Sequence, residues 1–388
     1  MPHLSAKLQG FGTTIFAEMT QLAVATGAVN LGQGFPDTDG PPEVLEAARA
    51  AIADGVNQYP PGPGLAVLRG AIAQHQLHWW GMTIDADREV LVTAGATEAL
   101  AAAMLALLDT GDEVVVLEPM YDSYAAGVAM AGGVIRPVTL RPPQYRVDVD
   151  AVRDAITPRT RLLLLNSPHN PTGAVLSVEE LTALAGLAVE YDLLVVSDEV
   201  YEHLTFDHHR HVPIATLPGM AERTLTISSG GKTFDTTGWK IGWCVGPADL
   251  VAAVRTAKQF LTYAGGGPFQ VGIAHGLGLP DHYFDDLRTR LQSQRDLLVS
   301  GLGAAGFDVF VPAGTYFVTV DIRPLAPDGD GMAFCRDLPH RCGVVAIPNM
   351  VFYDRAHAHE GRHLVRFAFC KRPTVIAEAV ERLATLAG

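Results

Sequence analysis

Short apolar runs separated by amphipathic stretches dominate the middle of the chain. Glu89 to Thr93, Glu113 to Leu117, Val134 to Val138, Arg161 to Asn166, Leu193 to Asp198, Thr224 to Ser228 and Ile241 to Val245 each have strand length and composition. Several lack strict alternation, which predicts strands covered on both faces. Helical patterns fall between many of them, as at Thr97 to Leu108, Val178 to Tyr191 and Ala248 to Tyr263. This order predicts an α/β fold, a mostly parallel seven-stranded sheet sandwiched by helices. From Asp281 a long helical pattern reaches about Ala305. Short strands follow near Val309, at Thr315 to Val320 and at Val344 to Ile347, with a last helix from Thr374. That texture predicts a smaller α+β domain. The expected division is an N-terminal arm and part of the small domain over 1–40, a large domain over 41–280 and a C-terminal small domain over 281–388. Residues 30–42 and 57–64 are rich in Gly and Pro and read as rigid loops.

In such sheets reactive groups collect at the carboxyl ends of strands. The distinctive polar residues fall there: Gly95, Ala96 and Thr97 after the first run, Asn166 and Asn170 after the fourth, Asp198 and Tyr201 after the fifth, Lys232 after the sixth.

Composition narrows the partners. The 388 residues are 48% hydrophobic, enough for a large core and more than one domain. Acidic residues outnumber basic ones by 42 to 28, and the basic ones are scattered singly. No patch suits a nucleic-acid backbone or an anionic membrane. Cys244, Cys335, Cys342 and Cys370 have no metal-ligand spacing and read as buried thiols of a reduced compartment. Met1 to Gly10 lacks a signal-peptide pattern, and no apolar window reaches membrane-span length, so the expectation is a soluble cytoplasmic protein. His203, His208, His209 and His211 invite a metal reading, but a solvated loop explains them better and no metal is expected. Trp79, Trp80, Trp239 and Trp243 read as core and hinge packing.

The chain has five lysines, and Lys232 sits in Ser228-Ser229-Gly230-Gly231-Lys232-Thr233 with Lys240 eight positions on. An amine among small residues and hydroxyls suits a Schiff base to an aldehyde carrying a phosphate; a solvated strand-end lysine is the plain alternative. Pyridoxal phosphate needs such a lysine, a carboxylate for its ring nitrogen, donors for its phenolate oxygen and a phosphate cradle. Asp198 offers the carboxylate and Tyr201 a phenol, although an aspartate after a strand is also a common helix cap. Gly95-Ala96-Thr97 opens a helix, as an anion site does and as an ordinary capped βα unit does, and Ser229 and Lys240 could add to it. Asn170 lies in the constrained turn NSPHNPTG at 166–173. Arg366, among apolar residues of an alternating strand, requires an anion, either a ligand carboxylate or a protein Asp or Glu.

Taken together, NLGQGFPD, NQYPPGPG, TAGATEAL, EPMYDSY, NSPHNPTG, SDEVYEHL, SSGGKTFDTTGWKIGW and HLVRFAFCK, in this order over nearly the whole chain, resemble the fold-type I pyridoxal-phosphate enzymes, class I/II aminotransferases. The resemblance implies that Lys232 carries the cofactor as a Schiff base and moves the proton, and that Asp198 pairs with the ring nitrogen. It implies Asn170 and Tyr201 on the phenolate oxygen and Tyr121 stacked on the ring, a position a core aromatic would also suit. Ala96, Thr97, Ser229 and Lys240 would hold the phosphate, with Tyr59 reaching in from the partner subunit of a homodimer that shares its active sites. Arg366 would clamp the substrate α-carboxylate, helped by Asn170 and the Gly34 backbone. Lys240 stands where many relatives carry arginine, which points to the kynurenine-aminotransferase-like branch.

Within that branch the segment Gln259 to Gln270, with Gly265, Gly266 and Gly267, is similar to that of actinobacterial N-succinyldiaminopimelate aminotransferases. The likeness implies an amino-acid donor and a 2-oxo-acid acceptor, with 2-oxoglutarate and glutamate as the pair and a succinylated donor. Kynurenine, glutamine, methionine or aromatic donors, or β-elimination from cysteine conjugates, would use the same lysine. A non-enzymatic regulator would need an added DNA-binding domain, and about 40 residues precede the core loops.

Overall fold

The computed structural model describes residues 5–12 and 14–387. Residues 1–4 and 13 of the expected arm, and 388 of the expected C-terminal domain, lie outside the described residues. In chain order the strands are β1 (Val29–Asn30), β2 (Val90–Ala94), β3 (Glu113–Glu118), β4 (Val134–Thr139), β5 (Thr160–Asn166), β6 (Leu194–Asp198), β7 (Thr224–Ser229), β8 (Ile241–Val245), β9 (Asp308–Phe310), β10 (Phe317–Asp321), β11 (Val344–Val345), β12 (Ile347–Pro348) and β13 (Leu364–Ala368). The seven predicted runs are β2 to β8, and each boundary lies within one residue of its expected place.

They form a single sheet in the order β2-β8-β7-β6-β5-β3-β4. All neighbours are parallel except at β8, which runs antiparallel to β2 and β7. Successive residues face opposite layers. Val114, Val116, Leu162 and Leu164 pack toward helices Gly95–Leu107 and Ala248–Lys258, whereas Val115, Leu117, Leu163 and Leu165 pack toward Val149–Ala155 and Val178–Glu190. Both sets are apolar because both faces are covered, which erases the alternation in the sequence. Helix Val178–Glu190 begins at a capping box in which Ser177 and Glu180 satisfy each other's backbone amides, a device worth about 1 kcal/mol.

The antiparallel β8 matters for chemistry. Its register pairs Ile241 with Ala94 and Gly242 with Ser229, so the start of β8 meets the ends of β2 and β7. Lys240, just before β8, thereby joins Gly95 and Ser229 at one edge.

A second sheet, β12-β13-β10-β9, is antiparallel and places Arg366 opposite Thr319 and Ile347. Two-residue β1 pairs in parallel with β11, carrying the N-terminal segment onto this part of the chain. A shared core joins Met19 and Leu31 to Leu298, Val318, Phe367 and Ile376. No helix among the described residues is long and apolar enough to cross a membrane.

Four expectations need correction. Cys342, read as buried with the other cysteines, is half-buried because it caps the end of helix Gly331–Arg341. The helix expected to reach Tyr263 ends at Lys258, whose ammonium donates to the carbonyls of Gly62 and Tyr263 while Tyr263 takes a left-handed φ of 63°. The strand expected from Thr315 starts at Phe317 because Thr315 has φ 65°. The histidines are not all on a solvated loop: His208 and His209 are exposed, but His203 and His211 are buried. His211 pairs with Glu199 at 2.7 Å, and His203 packs against Trp79 and Phe284. Those partners lie far away in sequence, beyond any local pattern.

Candidate active site

Eleven of the twelve expected site residues line one cavity of ≈ 470 Å³: Gly34, Ala96, Thr97, Tyr121, Asn170, Asp198, Tyr201, Ser229, Lys232, Lys240 and Arg366. Tyr59 does not. It is 83% exposed and meets Tyr263 edge-on at 5.9 Å, on the outer surface.

The carboxyl ends of β5 and β6 build one wall. Asp198 Oδ2 accepts from the Tyr124 hydroxyl at 2.7 Å, and Oδ1 from the Val200 amide at 3.3 Å. Asn166 Nδ2 donates to the Asp198 carbonyl, and Asn166 Oδ1 accepts from the Asn170 amide, both at 2.8 Å. No regular helix follows Asp198, so it is no helix cap. Burial pushes its carboxyl up to about 6, against the pull of the Tyr124 hydrogen bond. Among the described residues no lysine or arginine forms an ion pair with it. The site is built for a carboxylate whose counter-charge comes from a ligand.

Lys232 lies on the single turn Gly230–Thr233 after β7, at the cavity wall. Its Nζ stands 5.8 Å from the Tyr201 ring centroid and 5.6 Å from that of Tyr316. Removal from water lowers its ammonium to about 8, with Asp198 opposing the shift and Lys240 and Arg366 adding to it. Near neutrality a useful share is therefore free amine, the form that attacks an aldehyde. Pyridoxal phosphate uptake by the apoprotein is accordingly expected to accelerate as pH rises through about 8 and to level off above it. Stopped-flow absorbance checks this; a rate still climbing toward pH 10 would mean that the amine is not depressed.

At the other end, helix Gly95–Leu107 opens without a side-chain cap, leaving its first amides free. Gly95 has φ 76°, and a Cβ there would stand 2.9 Å from Lys240 Nζ. A Cβ on Gly242 would come within 2.4 Å of the Gly95 backbone. Two glycines thus let the ammonium, the Ser229 hydroxyl and a helix N-terminus converge, an arrangement suited to a phosphate.

Arg366 is 2% exposed. Its Nη1 donates to Asn170 Oδ1 at 2.9 Å and its Nη2 to the Gly32 carbonyl at 3.3 Å, while Nε has no partner. The guanidinium lies 3.9 Å from the Phe317 ring centroid and 4.7 Å from that of Phe352. Among the described residues no Asp or Glu forms an ion pair with it. Burial lowers it to about 10, and a second molecule's carboxylate would answer both the missing charge and the idle donor.

Several lining residues were not foreseen. Tyr124 lies in the first turn of helix Asp122–Ala131, three positions after Tyr121 at its N-cap, and that spacing was the available signal. Phe317, the first residue of β10, lines the cavity, and Tyr316 directly precedes it. Tyr316 donates to the Gly34 carbonyl at 2.6 Å, and the Phe317 ring leaves no room for a Cβ at Gly34. Nothing local marked them.

The profile of the family described as aminotransferase class I and II matches residues 26–383. The chain is 55% identical over 390 residues, 98% of each chain, to the probable N-succinyldiaminopimelate aminotransferase DapC of Mycobacterium tuberculosis. The solved structure of N-succinyldiaminopimelate aminotransferase from that organism superposes with a TM-score of 0.97, covering 99% of this chain and 100% of the other at 55% identity. This chain is also 40% identical over 389 residues, 98% of each chain, to methionine aminotransferase of Escherichia coli. A kynurenine–oxoglutarate transaminase of Dictyostelium discoideum is 36% identical over 417 residues, 98% of this chain and 96% of the other.

Proposed function

Because the chain belongs to the class I and II aminotransferases, and is therefore a pyridoxal-phosphate-dependent transaminase, we propose that the cavity is its active site and that N-succinyl-LL-diaminopimelate is its preferred amino donor, with 2-oxoglutarate as acceptor. The observation that carries the site is Arg366, a buried guanidinium with an unpartnered Nε and no carboxylate partner among the described residues. The 55% identity to the mycobacterial protein supports the donor.

The residues fit the cofactor. Asp198 lacks a counter-charge, Lys232 offers a depressed amine, and Gly95, Ser229 and Lys240 form a cradle that a Cβ at Gly95 would obstruct. When bound, pyridoxal phosphate supplies an aldehyde for the amino group and a protonated ring that withdraws electrons from the substrate Cα. The chain does the rest. Asp198, its two oxygens fixed by Tyr124 and the Val200 amide, would keep the ring nitrogen protonated. Asn170 and Tyr201 would hold the phenolate oxygen, and Tyr121 would cover one face of the ring. Arg366 takes the α-carboxylate, with Asn170 and the Gly34 backbone beside it, which orients Cα. Lys232 Nζ would take the proton from Cα, as a base does best when its own affinity lies near the working pH.

The active unit in this reading is a cytoplasmic homodimer. Tyr59, Phe260, Leu261 and Tyr263 are large exposed apolar side chains gathered around the loop that Lys258 fastens. Such a patch suits a second copy, whose cavity would receive Tyr59 and the glycine-rich loop through Gly267. Four unpaired cysteines agree with a reduced compartment. The expected division at residues 40 and 280 belongs to the same reading.

A donor panel tests the assignment. N-succinyl-LL-diaminopimelate should give the highest kcat/KM among itself, kynurenine, methionine and glutamine; a lower rank than the aromatic donors removes the named donor. Arg366→Gln should lower kcat/KM for all of them by on the order of 10²- to 10³-fold, the cost of leaving a buried carboxylate unmatched.

A further inference from the structure

Outside the active site, one set of side chains among the described residues places three potential metal ligands within 4.8 Å of one another: His75, Glu202 and His203. All three are buried. His75 comes from helix Ala66–Trp80, and the other two from the turn after β6, so the fold brings them together across 128 positions. We propose that His75, Glu202 and His203 bind a divalent transition-metal ion, Zn²⁺ being the best match to two imidazoles and one carboxylate, with a water as fourth ligand.

The surroundings of each ligand support this. His75 Nδ1 faces the Leu277 carbonyl at 3.3 Å, which places its proton there and leaves the Nε2 lone pair directed at His203. Glu202 Oε1 accepts from Ser228 Oγ at 2.6 Å and Oε2 from Trp80 Nε1 at 2.8 Å. A backbone carbonyl behind the imidazole and donors behind the carboxylate are what metal ligands require for orientation.

The two Nε2 atoms stand 2.7 Å apart and share one proton. On a tetrahedral ion with Zn–N distances of about 2.0–2.1 Å they would stand roughly 3.3 Å apart. The rings must therefore separate by roughly half an ångström as the ion replaces that proton. His203 keeps its ring hydrogen by carrying it on Nδ1 instead, so the two imidazoles release no proton. A cavity of ≈ 920 Å³ opens beside Glu202 and His203 and provides the entry path and the water. Binding would tie helix Ala66–Trp80 to the turn that carries Tyr201, at a distance from the cofactor cradle.

The test uses holoenzyme stripped with a chelator and dialysed. Titration with ZnCl₂ by calorimetry should give one tight site per chain. Glu202→Gln and His203→Gln should each weaken it at least about tenfold, and His208→Gln with His209→Gln should leave it unchanged. Co²⁺ in the wild-type protein should show the intense visible bands of tetrahedral coordination. Loss of the site with the two exposed histidines, its persistence in both buried variants, or a weak octahedral Co²⁺ spectrum would each overturn the proposal. The Co²⁺ spectrum needs no variant, so it decides the matter even if a buried substitution unfolds the chain.

Discussion

Lys232→Ala should leave a folded protein that turns over at least on the order of 10⁴-fold more slowly than the wild type. The fold survives because Lys232 sits on a single turn at the cavity wall, where its side chain fills no core and makes no hydrogen bond to another residue. The flanking Gly230 and Gly231, which do pack tightly against Ile273 and Thr237, are untouched. Cofactor can remain without a covalent link, because Asp198 and the Gly95, Ser229 and Lys240 end of the cavity act at its two extremities. What disappears is the one amine placed to move a proton at substrate Cα. Lys232→Arg separates charge from chemistry: it keeps the cation but cannot act as a base near neutrality, so it should fail equally. Circular dichroism, bound-cofactor absorbance and single-turnover rates with excess donor measure the three claims. Turnover within tenfold of wild type in either variant would remove Lys232 from the proton transfer.

Much of this site could be read from the chain because the fold converts sequence order into spatial order. Each of β2, β5, β6 and β7 ends at the same edge, so a polar residue after an apolar run becomes a cavity residue. Lys240 was legible as a second cation eight positions after Lys232, but not its place beside Gly95. Its placement comes from the antiparallel turn of β8, which no apolar run announces. Arg366 was ambiguous between a protein carboxylate and a ligand, since its neighbours Asn170, Gly32 and Phe317 lie 196, 334 and 49 positions away. The histidines failed for the same reason. A run of polar residues looks solvated until helix Ala66–Trp80 and Phe284 are laid over part of it, and His75 gave no local sign of being His203's partner. Tyr124 was concealed differently: it lies within EPMYDSY, but the hydrogen bond that gives it a role reaches Asp198, 74 positions away.

Asp198→Asn should divide stability from activity, and the division has a calculable sign. In the apoprotein burial raises the carboxyl from an ordinary 3.8 to about 6, so the folded state holds the proton more tightly than the unfolded chain. Its favourable contribution is therefore complete below about 3.8 and is lost as pH rises through about 6. At about 1.4 kcal/mol per unit, the ionised group costs the apoprotein on the order of 3 kcal/mol at pH 7. Asparagine removes that charge while its oxygen still accepts from Tyr124. Urea unfolding of the two apoproteins should give nearly equal stabilities near pH 4, and a more stable variant at pH 7. With cofactor bound the order should reverse, because the protonated ring supplies the counter-charge that the carboxylate lacks and asparagine cannot use it. Breaking such a buried pair costs about 3–5 kcal/mol, so kcat/KM should fall by at least on the order of 10²-fold. If the apo variant were no more stable than the wild type at pH 7, Asp198 would already have its partner within the chain, and its assignment to the ring nitrogen would lose its physical basis.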